Sequence, residues 1–195
     1  MERFEHFMDR LSQWVGHAFA WCVVILTIGI AYEVVVRYAF RAPTTWSFDL
    51  GYMMYGAMFF MAGAYTLSRG GHVRADILYR LWSPRTQAKM DLLLYFVFFF
   101  PGIIALVVSG ASHAAESWGY REVSVFSPTG VPIYPFKTLL PIGAFLLLLQ
   151  GVAEVFRCIR CIRDGEWPRR LHDVEELENQ ILQQHQQAAG AEAGR

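Results

Sequence analysis

The sequence predicts an all-α integral membrane protein with four transmembrane helices, both termini in the cytoplasm, and amphipathic helices at the membrane interface. Charged residues make up only 17% of the 195-residue chain, against roughly 25% in a typical soluble domain. They are absent altogether from residues 11–32, 50–68, 92–115 and 138–153. The distribution of lysines and arginines outside these stretches predicts the orientation.

The four uncharged stretches give the predicted spans. A hydrocarbon core of about 30 Å requires roughly 20 apolar residues in an α-helix, and the first three stretches are long enough. The fourth is shorter, but Lys137 and Glu154 at its ends can pair or reach the interface. We therefore predict a membrane domain over residues 15–160, with spans at about 15–36, 48–68, 90–113 and 138–157.

Lysines and arginines alternate in number between successive connections. The amino-terminal segment, the second connection and the carboxy-terminal segment hold 13 of the 17, and the first and third connections hold the other four. Cationic residues are retained on the cytoplasmic side of a membrane, so both termini are predicted to be cytoplasmic. Residues 161–195 then form a polar cytoplasmic tail.

Composition also excludes several classes of protein. A formal net charge of zero disfavours a nucleic-acid partner. The 15 Phe, 9 Tyr and 6 Trp residues exclude an intrinsically disordered chain. Three cysteines, two of them on the predicted cytoplasmic side, do not form a disulfide framework.

Residues 1–14 are predicted to form an amphipathic helix. Phe4, Phe7, Leu11 and Trp14 recur at steps of three, four and three residues, as on one face of a helix. The polar residues of the segment lie on the opposite face. We expect this helix to lie along the inner interface, and a straight helical extension of the first span fits the pattern equally well.

The first two spans meet at a connection with several candidate contacts. Glu33 and Arg37 are four residues apart on one helix face, which favours a structural ion pair over a proton or ion relay. Ser47 or Thr45 is expected to cap the second span. Asp49 lies near the start of that span, where the helix dipole favours an acid. Trp46 is expected to be an aromatic anchor at the interface.

The second span is rich in small residues. Gly56 and Gly63 are seven residues apart and therefore share a face that another helix can approach closely. Beyond this span, His72 and Asp76 are four residues apart, a spacing that favours a structural network over a metal site. Residues 73–82 have the pattern of a short amphipathic helix at the inner surface.

The second half of the membrane domain contains several prolines. Pro101-Gly102 predicts a kink in the third span. The following connection, residues 117–137, is rich in proline and aromatic residues and is expected to be ordered against lipid or a partner. Pro141 lies at the start of the fourth span.

The histidines and cysteines of the chain are not spaced as a set of ligands. His17 and His113 are predicted at opposite ends of their spans, so one haem iron cannot bind both. Cys158 and Cys161 form a CxxC pair, but a metal or redox site requires further ligands at matching spacing. We therefore predict no catalytic residue, cofactor or metal, and no enzyme.

Three local motifs resemble the small membrane subunit of tripartite ATP-independent periplasmic (TRAP) transporters. The first is EVVVRYAF at residues 33–40 followed by Trp46, and the second is GHVRAD at residues 71–76. The third is VPIYPFKT at residues 131–138 followed by Pro141. The resemblance covers about residues 10–160. The family commonly has a glutamate three residues after the tryptophan, where this chain has Asp49.

The resemblance implies a role in the bacterial cytoplasmic membrane. Such transporters combine a periplasmic solute-binding protein with a large multi-helix subunit that holds the substrate and Na+ sites, and the small subunit packs against its fixed scaffold. This implies an accessory subunit in Na+-coupled uptake of a small organic acid. The alternatives are a membrane anchor of an oxidoreductase and a self-sufficient oligomeric small transporter. The candidates for structural or partner contacts are Glu33, Arg37, Trp46, Asp49, Gly56, Gly63, His72, Arg74, Asp76, Pro132, Pro135 and Pro141.

Overall fold

A computed structural model describes residues 2–70, 79, 82–128 and 130–168. The regular elements within these residues are helical, and one isolated β-bridge joins Val123 to Pro132. In chain order the helices are α1 (Glu2–Ala39), α2 (Ser47–Ser68), α3 (Pro84–Leu94), a π-helical turn (Tyr95–Phe99), α4 (Phe100–Tyr120), α5 (Tyr134–Lys137) and α6 (Leu139–Asp164).

Helix α1 is unbroken over 38 residues. At 1.5 Å per residue it is about 57 Å long, well beyond the thickness of a hydrocarbon core. The segment predicted as an amphipathic interfacial helix is therefore continuous with the first predicted span, and its position at the membrane interface stays a prediction.

Helix α2 begins without a side-chain cap. Trp46 occupies the N-cap position and makes no side-chain hydrogen bond to the first turn, so the prediction of Ser47 or Thr45 as the cap is wrong. Asp49 lies in that first turn, where the helix dipole favours a carboxylate. The helix ends before Gly70, whose φ of +66° is a conformation that glycine adopts at little cost.

A π-helical turn lies just before Pro101, where the sequence predicts a kink. The chain is helical from Pro84 to Tyr120, with the π-helical turn at Tyr95–Phe99. The backbone N–H of Phe100 bonds to the carbonyl of Tyr95, five residues earlier. Because proline has no N–H and its ring crowds the preceding turn, a wider turn just before it lets the helix continue.

Close contacts at glycines define how the helices pack. Gly16 lies against Tyr65 and Gly29 against Leu50, so α1 and α2 are antiparallel. Gly63 and Gly143 lie along the contact between α2 and α6, which run parallel, and Gly56 lies against Phe136 of α5. Two further contacts, Gly110 with Leu140 and Gly151 with Phe99, place the third helical segment antiparallel to α6.

Helix α6 is the most interior of the long helices. Among the described residues, three helices are long and apolar enough to cross a membrane: Arg3–Ala39, Pro84–Tyr120 and Tyr134–Asp164. One third of the apolar window of the last is buried within the chain, against 11% and 6% for the first two. Helix α2 has 22 residues, and its glycines and tyrosines lower its mean hydropathy, so its membrane span stays a prediction.

We use two names for the ends of this bundle. The terminal end contains the start of α1, the end of α2 and the end of α6. The loop end contains residues 40–46 and 121–133.

Candidate functional site

Glu33 fixes the connection between α1 and α2 at the loop end. Arg37 donates from Nε to Oε1 of Glu33 at 2.8 Å, one turn away. The backbone N–H of Thr44 donates to Oε2 at 2.9 Å, and the Thr44 hydroxyl also donates to Oε2. Glu33 is buried, at 7% exposure. The predicted ion pair is present, and its acid also holds the backbone of the connection, which the spacing alone did not indicate.

Trp46 and Asp49 lie at the start of α2 in different environments. The ring of Trp46 stacks on Tyr32 of α1, with centroids 6.0 Å apart, and is partly exposed. Asp49 is 1% exposed, and Oδ1 accepts a hydrogen bond from the hydroxyl of Ser124. Asp49 therefore holds residues 121–133 against α2 and does not present its carboxylate at the surface.

Residues 121–133 form an ordered connection, as predicted, apart from position 129, which the structure does not describe. The N–H of Ser124 bonds to the carbonyl of Val131 at 2.8 Å, and that of Ile133 to the carbonyl of Glu122 at 3.0 Å. These bonds flank the bridge from Val123 to Pro132. The hydroxyl of Ser127 donates to the carbonyl of Thr45 at 3.1 Å, which is a second link to the start of α2.

Glu122 joins this connection to α4 and α5. It accepts from Nζ of Lys137 at 2.5 Å and from the hydroxyl of Ser117 at 2.7 Å. These two donors, Lys137 first, lower the pKa of Glu122 because they stabilise its charged form. The carboxylate is 38% exposed, so the pair lies at the surface.

Apolar and aromatic side chains surround these polar contacts and are exposed. Together they form what we call the loop-end surface: Tyr38, Phe40, Tyr120, Val125 and Phe126. Tyr120 and Val125 are the most exposed, at 86% and 89%. Phe126 also packs against Phe48 of α2 at 5.2 Å between centroids, which fixes part of the surface in place.

The three predicted prolines lie where the fourth predicted span begins. Pro132 is in the β-bridge, and Pro135 is in the first turn of α5. Pro141 lies in the first turn of α6, where its missing N–H leaves no intrahelical bond unmade. Each proline therefore occupies a position that does not interrupt a helix.

The two predicted glycines pack within this chain. A Cβ on Gly56 would lie 2.5 Å from the ring of Phe136, and one on Gly63 would lie 3.7 Å from Leu147. The small face of α2 is thus covered by α5 and α6. The prediction that it admits a close neighbour is supported, with a neighbour in the same subunit.

A buried ionic network joins α1 to α6 at the terminal end, and the sequence analysis did not predict it. Arg157 donates from its two terminal nitrogens to Glu154 and to Asp9, 148 residues away. Arg160 lies 3.5 Å from Glu5. The network is completed by two neutral side chains that bridge the helices, Gln150 and Ser12.

The network places the polar face of the first turns of α1 against α6. Glu5, Asp9 and Ser12 are 2%, 7% and 1% exposed, whereas Phe7 and Trp14 are 62% and 71% exposed. Of the apolar stripe predicted in residues 1–14, Phe7 and Trp14 therefore face away from the rest of the chain, whereas Phe4 packs on Phe156 of α6 with ring centroids 6.0 Å apart. The signal that could have revealed this is the spacing of polar residues on both helices, by four and three at Glu5, Asp9 and Ser12 and again at Gln150, Glu154 and Arg157.

The remaining candidates are structural or lie outside the described residues. Cys158 and Cys161 are buried against Ala88, in a cluster of apolar side chains. His17 packs on Tyr65 near the terminal end. Among the described residues, no group of three or more His, Cys, Asp or Glu side chains is placed to hold a metal ion. The candidates that lie outside the described residues are His72, Arg74 and Asp76.

Residues 26–161 match the family model described as "Tripartite ATP-independent periplasmic transporters, DctQ component". The match covers more than two thirds of the chain and includes the loop end, the end of α2 and α6 as far as Cys161. No curated protein matches the chain. The match begins after the inward-facing turns of α1.

Proposed function

The chain belongs to the DctQ component family of tripartite ATP-independent periplasmic transporters, and from that premise we propose its role. It is a four-span accessory subunit of the bacterial cytoplasmic membrane, with both termini in the cytoplasm. It enlarges the fixed scaffold of a large multi-helix permease subunit that holds the substrate and Na+ sites. It thereby assists Na+-coupled uptake of a small organic acid delivered by a periplasmic solute-binding protein.

The pairing of helix charges within the chain carries this proposal. Glu33 is neutralised by Arg37, and both Asp9 and Glu154 bond to Arg157. Polar groups that line a transport pathway must face a substrate or a water-filled cavity. These charged side chains instead pair with each other inside the subunit, which supports a structural role and not a transport pathway.

The outer faces of the helices support a scaffold that packs against lipid and other helices. The apolar windows of α1 and of the helix Pro84–Tyr120 are only 11% and 6% buried within the chain. Exposed apolar helix faces of this extent require lipid or a larger helical partner. An accessory subunit beside a large permease has both, because some of its helix faces contact lipid and others contact the permease.

The loop-end surface is the part of the chain that we assign to the solute-binding protein. Its most prominent exposed side chains are Tyr120, Val125 and Phe126. Hydrogen bonds to Asp49 and Glu122 hold the connection that carries them in place. Aromatic residues on an ordered surface are typical of protein interfaces. Trp46 borders the same surface, and Asp49 contributes by positioning it.

The experiment compares three sets of proteoliposomes under an inward Na+ gradient, with the binding protein loaded with its acid. They contain the large permease subunit alone, this chain alone, or both. We expect uptake only with both. Full uptake by the large subunit alone would overturn the accessory role, flux through this chain alone would establish a self-sufficient transporter, and a haem Soret band in the purified chain would establish an oxidoreductase anchor.

The same assay tests the docking surface. The variant Y120A/V125A/F126A should require several-fold more binding protein for half-maximal uptake, with the rate restored at saturation. Restoration at saturation separates weaker docking from a folding defect. An unchanged half-maximal concentration would show that the binding protein docks elsewhere.

A further inference from the structure

The buried network at the terminal end leaves the outer face of residues 3–14 of α1 without acidic side chains. Glu5 and Asp9 are the acids of residues 3–14, and both are buried against α6, where Arg157 and Arg160 lie. Their burial fixes the rotation of α1 about its axis. The other side of the helix then carries only neutral and cationic groups among residues 3–14.

That outer face combines cations with aromatic rings. Arg3 and Arg10 are exposed and seven residues apart, and Phe7 and Trp14 are exposed with the same separation. Residues at 3, 7, 10 and 14 share one face of an α-helix, so Arg3 and Arg10 lie beside the aromatic side chains and not on the opposite face predicted for the polar residues of this segment. The face is about 16 Å long at 1.5 Å per residue, and we call it the cationic-aromatic face.

We propose that the cationic-aromatic face binds the headgroups of anionic phospholipids in the leaflet that surrounds the terminal end. Guanidinium groups form paired hydrogen bonds with phosphate. Phe7 and Trp14 supply apolar surface at the level where aromatic residues of membrane proteins meet the interface. The inference rests on the proposed function only in that the bundle spans a membrane.

Charge and composition favour lipid over other occupants. Two arginines on a face without exposed carboxylates complement an anionic surface, and each cation near such a surface contributes about 1 kcal/mol of attraction. Free phosphate would leave the two exposed rings unused. Burial of Glu5 and Asp9 also favours lipid binding, because either carboxylate on the outer face would repel the anionic headgroups.

The test measures how many phospholipids the purified full-length chain retains from mixed micelles of phosphatidylglycerol and phosphatidylcholine, using native mass spectrometry. The wild-type chain should retain phosphatidylglycerol preferentially. The variant R3Q/R10Q should lower this preference by about thirtyfold. The matched control K89Q/R163Q removes two exposed cations from the same end of the bundle and should keep the preference.

Each other outcome overturns the proposal. An equal loss in both variants would show unspecific attraction to the net charge of that end. No preference in the wild-type chain would show that the face does not select anionic lipid. Unchanged lipid retention in R3Q/R10Q, with loss of co-purification with the large subunit, would identify the face as a protein interface. None of these readings depends on transport, so they stay separate from a failure of the proposed function.

Discussion

The ion pairs at the two ends of the bundle differ in how deeply they are buried. At the terminal end, Asp9, Glu154 and Arg157 are 7%, 2% and 3% exposed and join α1 to α6. At the loop end, Arg37 and Glu122 are partly exposed, and their partners lie within the same or a neighbouring element. Desolvation makes a buried charge costly once its partner is lost, whereas an exposed charge returns to water. The terminal end is therefore the more sensitive to substitution.

Substitution of Arg157 by methionine should have the largest effect. It leaves Asp9 and Glu154 buried without their cation, a change that typically costs about 3–5 kcal/mol of unfolding free energy. The measurement is equilibrium unfolding of the purified chain by SDS in mixed micelles. The matched control is K137M at the loop end, where the partner Glu122 is 38% exposed and can return to water, so the loss should be about 1 kcal/mol or less.

A neutral version of the network keeps the first prediction falsifiable if R157M does not fold. The triple variant R157M/D9N/E154Q removes all three charges together and should recover much of the lost stability, because no unpaired charge stays buried. Equal losses for R157M and K137M would contradict the contrast between the two ends.

The second prediction concerns Asp49, the buried carboxylate of the loop end. Substitution of Ser124 by alanine removes the hydroxyl that donates to Oδ1, while Oδ2 already lacks a hydrogen-bond partner within the described part of the chain. We expect a loss of about 1–3 kcal/mol in the same unfolding assay. The control S112A removes an exposed hydroxyl that only bonds to its own helix and should change little. If both variants unfold alike, Asp49 does not hold the connection.

The sequence could predict contacts made within one helix but not contacts between distant helices. Glu33 and Arg37 are found together because four residues complete about one turn. Asp9 and Arg157 are separated by 148 residues, and only packing of α1 on α6 determines that they meet. The connection at residues 117–137 could also be predicted, because its prolines and aromatic residues restrict the chain locally.

The amphipathic pattern of residues 1–14 was detected correctly, but pattern alone does not decide which side faces the protein. In a soluble protein the apolar stripe packs on the core. Here Phe7 and Trp14 face outward, and Glu5 and Asp9 face α6. This reversal is stable only where the exposed rings meet lipid or another helix and the buried acids meet arginines. The π-helical turn before Pro101 was missed because proline spacing does not specify how a helix accommodates it.

The smallest predicted effect is a pH dependence at the exposed pair of Glu122 and Lys137. The pKa of Glu122 is lowered by the hydrogen bond from Lys137 and next by that from Ser117. A carboxyl whose folded pKa is depressed stabilises the protein fully above its unfolded pKa of about 4.3, and this contribution is lost as the pH falls through the folded pKa. The coupling in a double-mutant cycle of E122Q and K137M should therefore be present at pH 7 and disappear in acid. It should also weaken with added salt, since the pair is exposed, whereas coupling between Asp9 and Arg157 should resist salt. A Glu122–Lys137 coupling that stays constant from neutral to strongly acidic pH would show that the pair does not depend on the carboxylate charge.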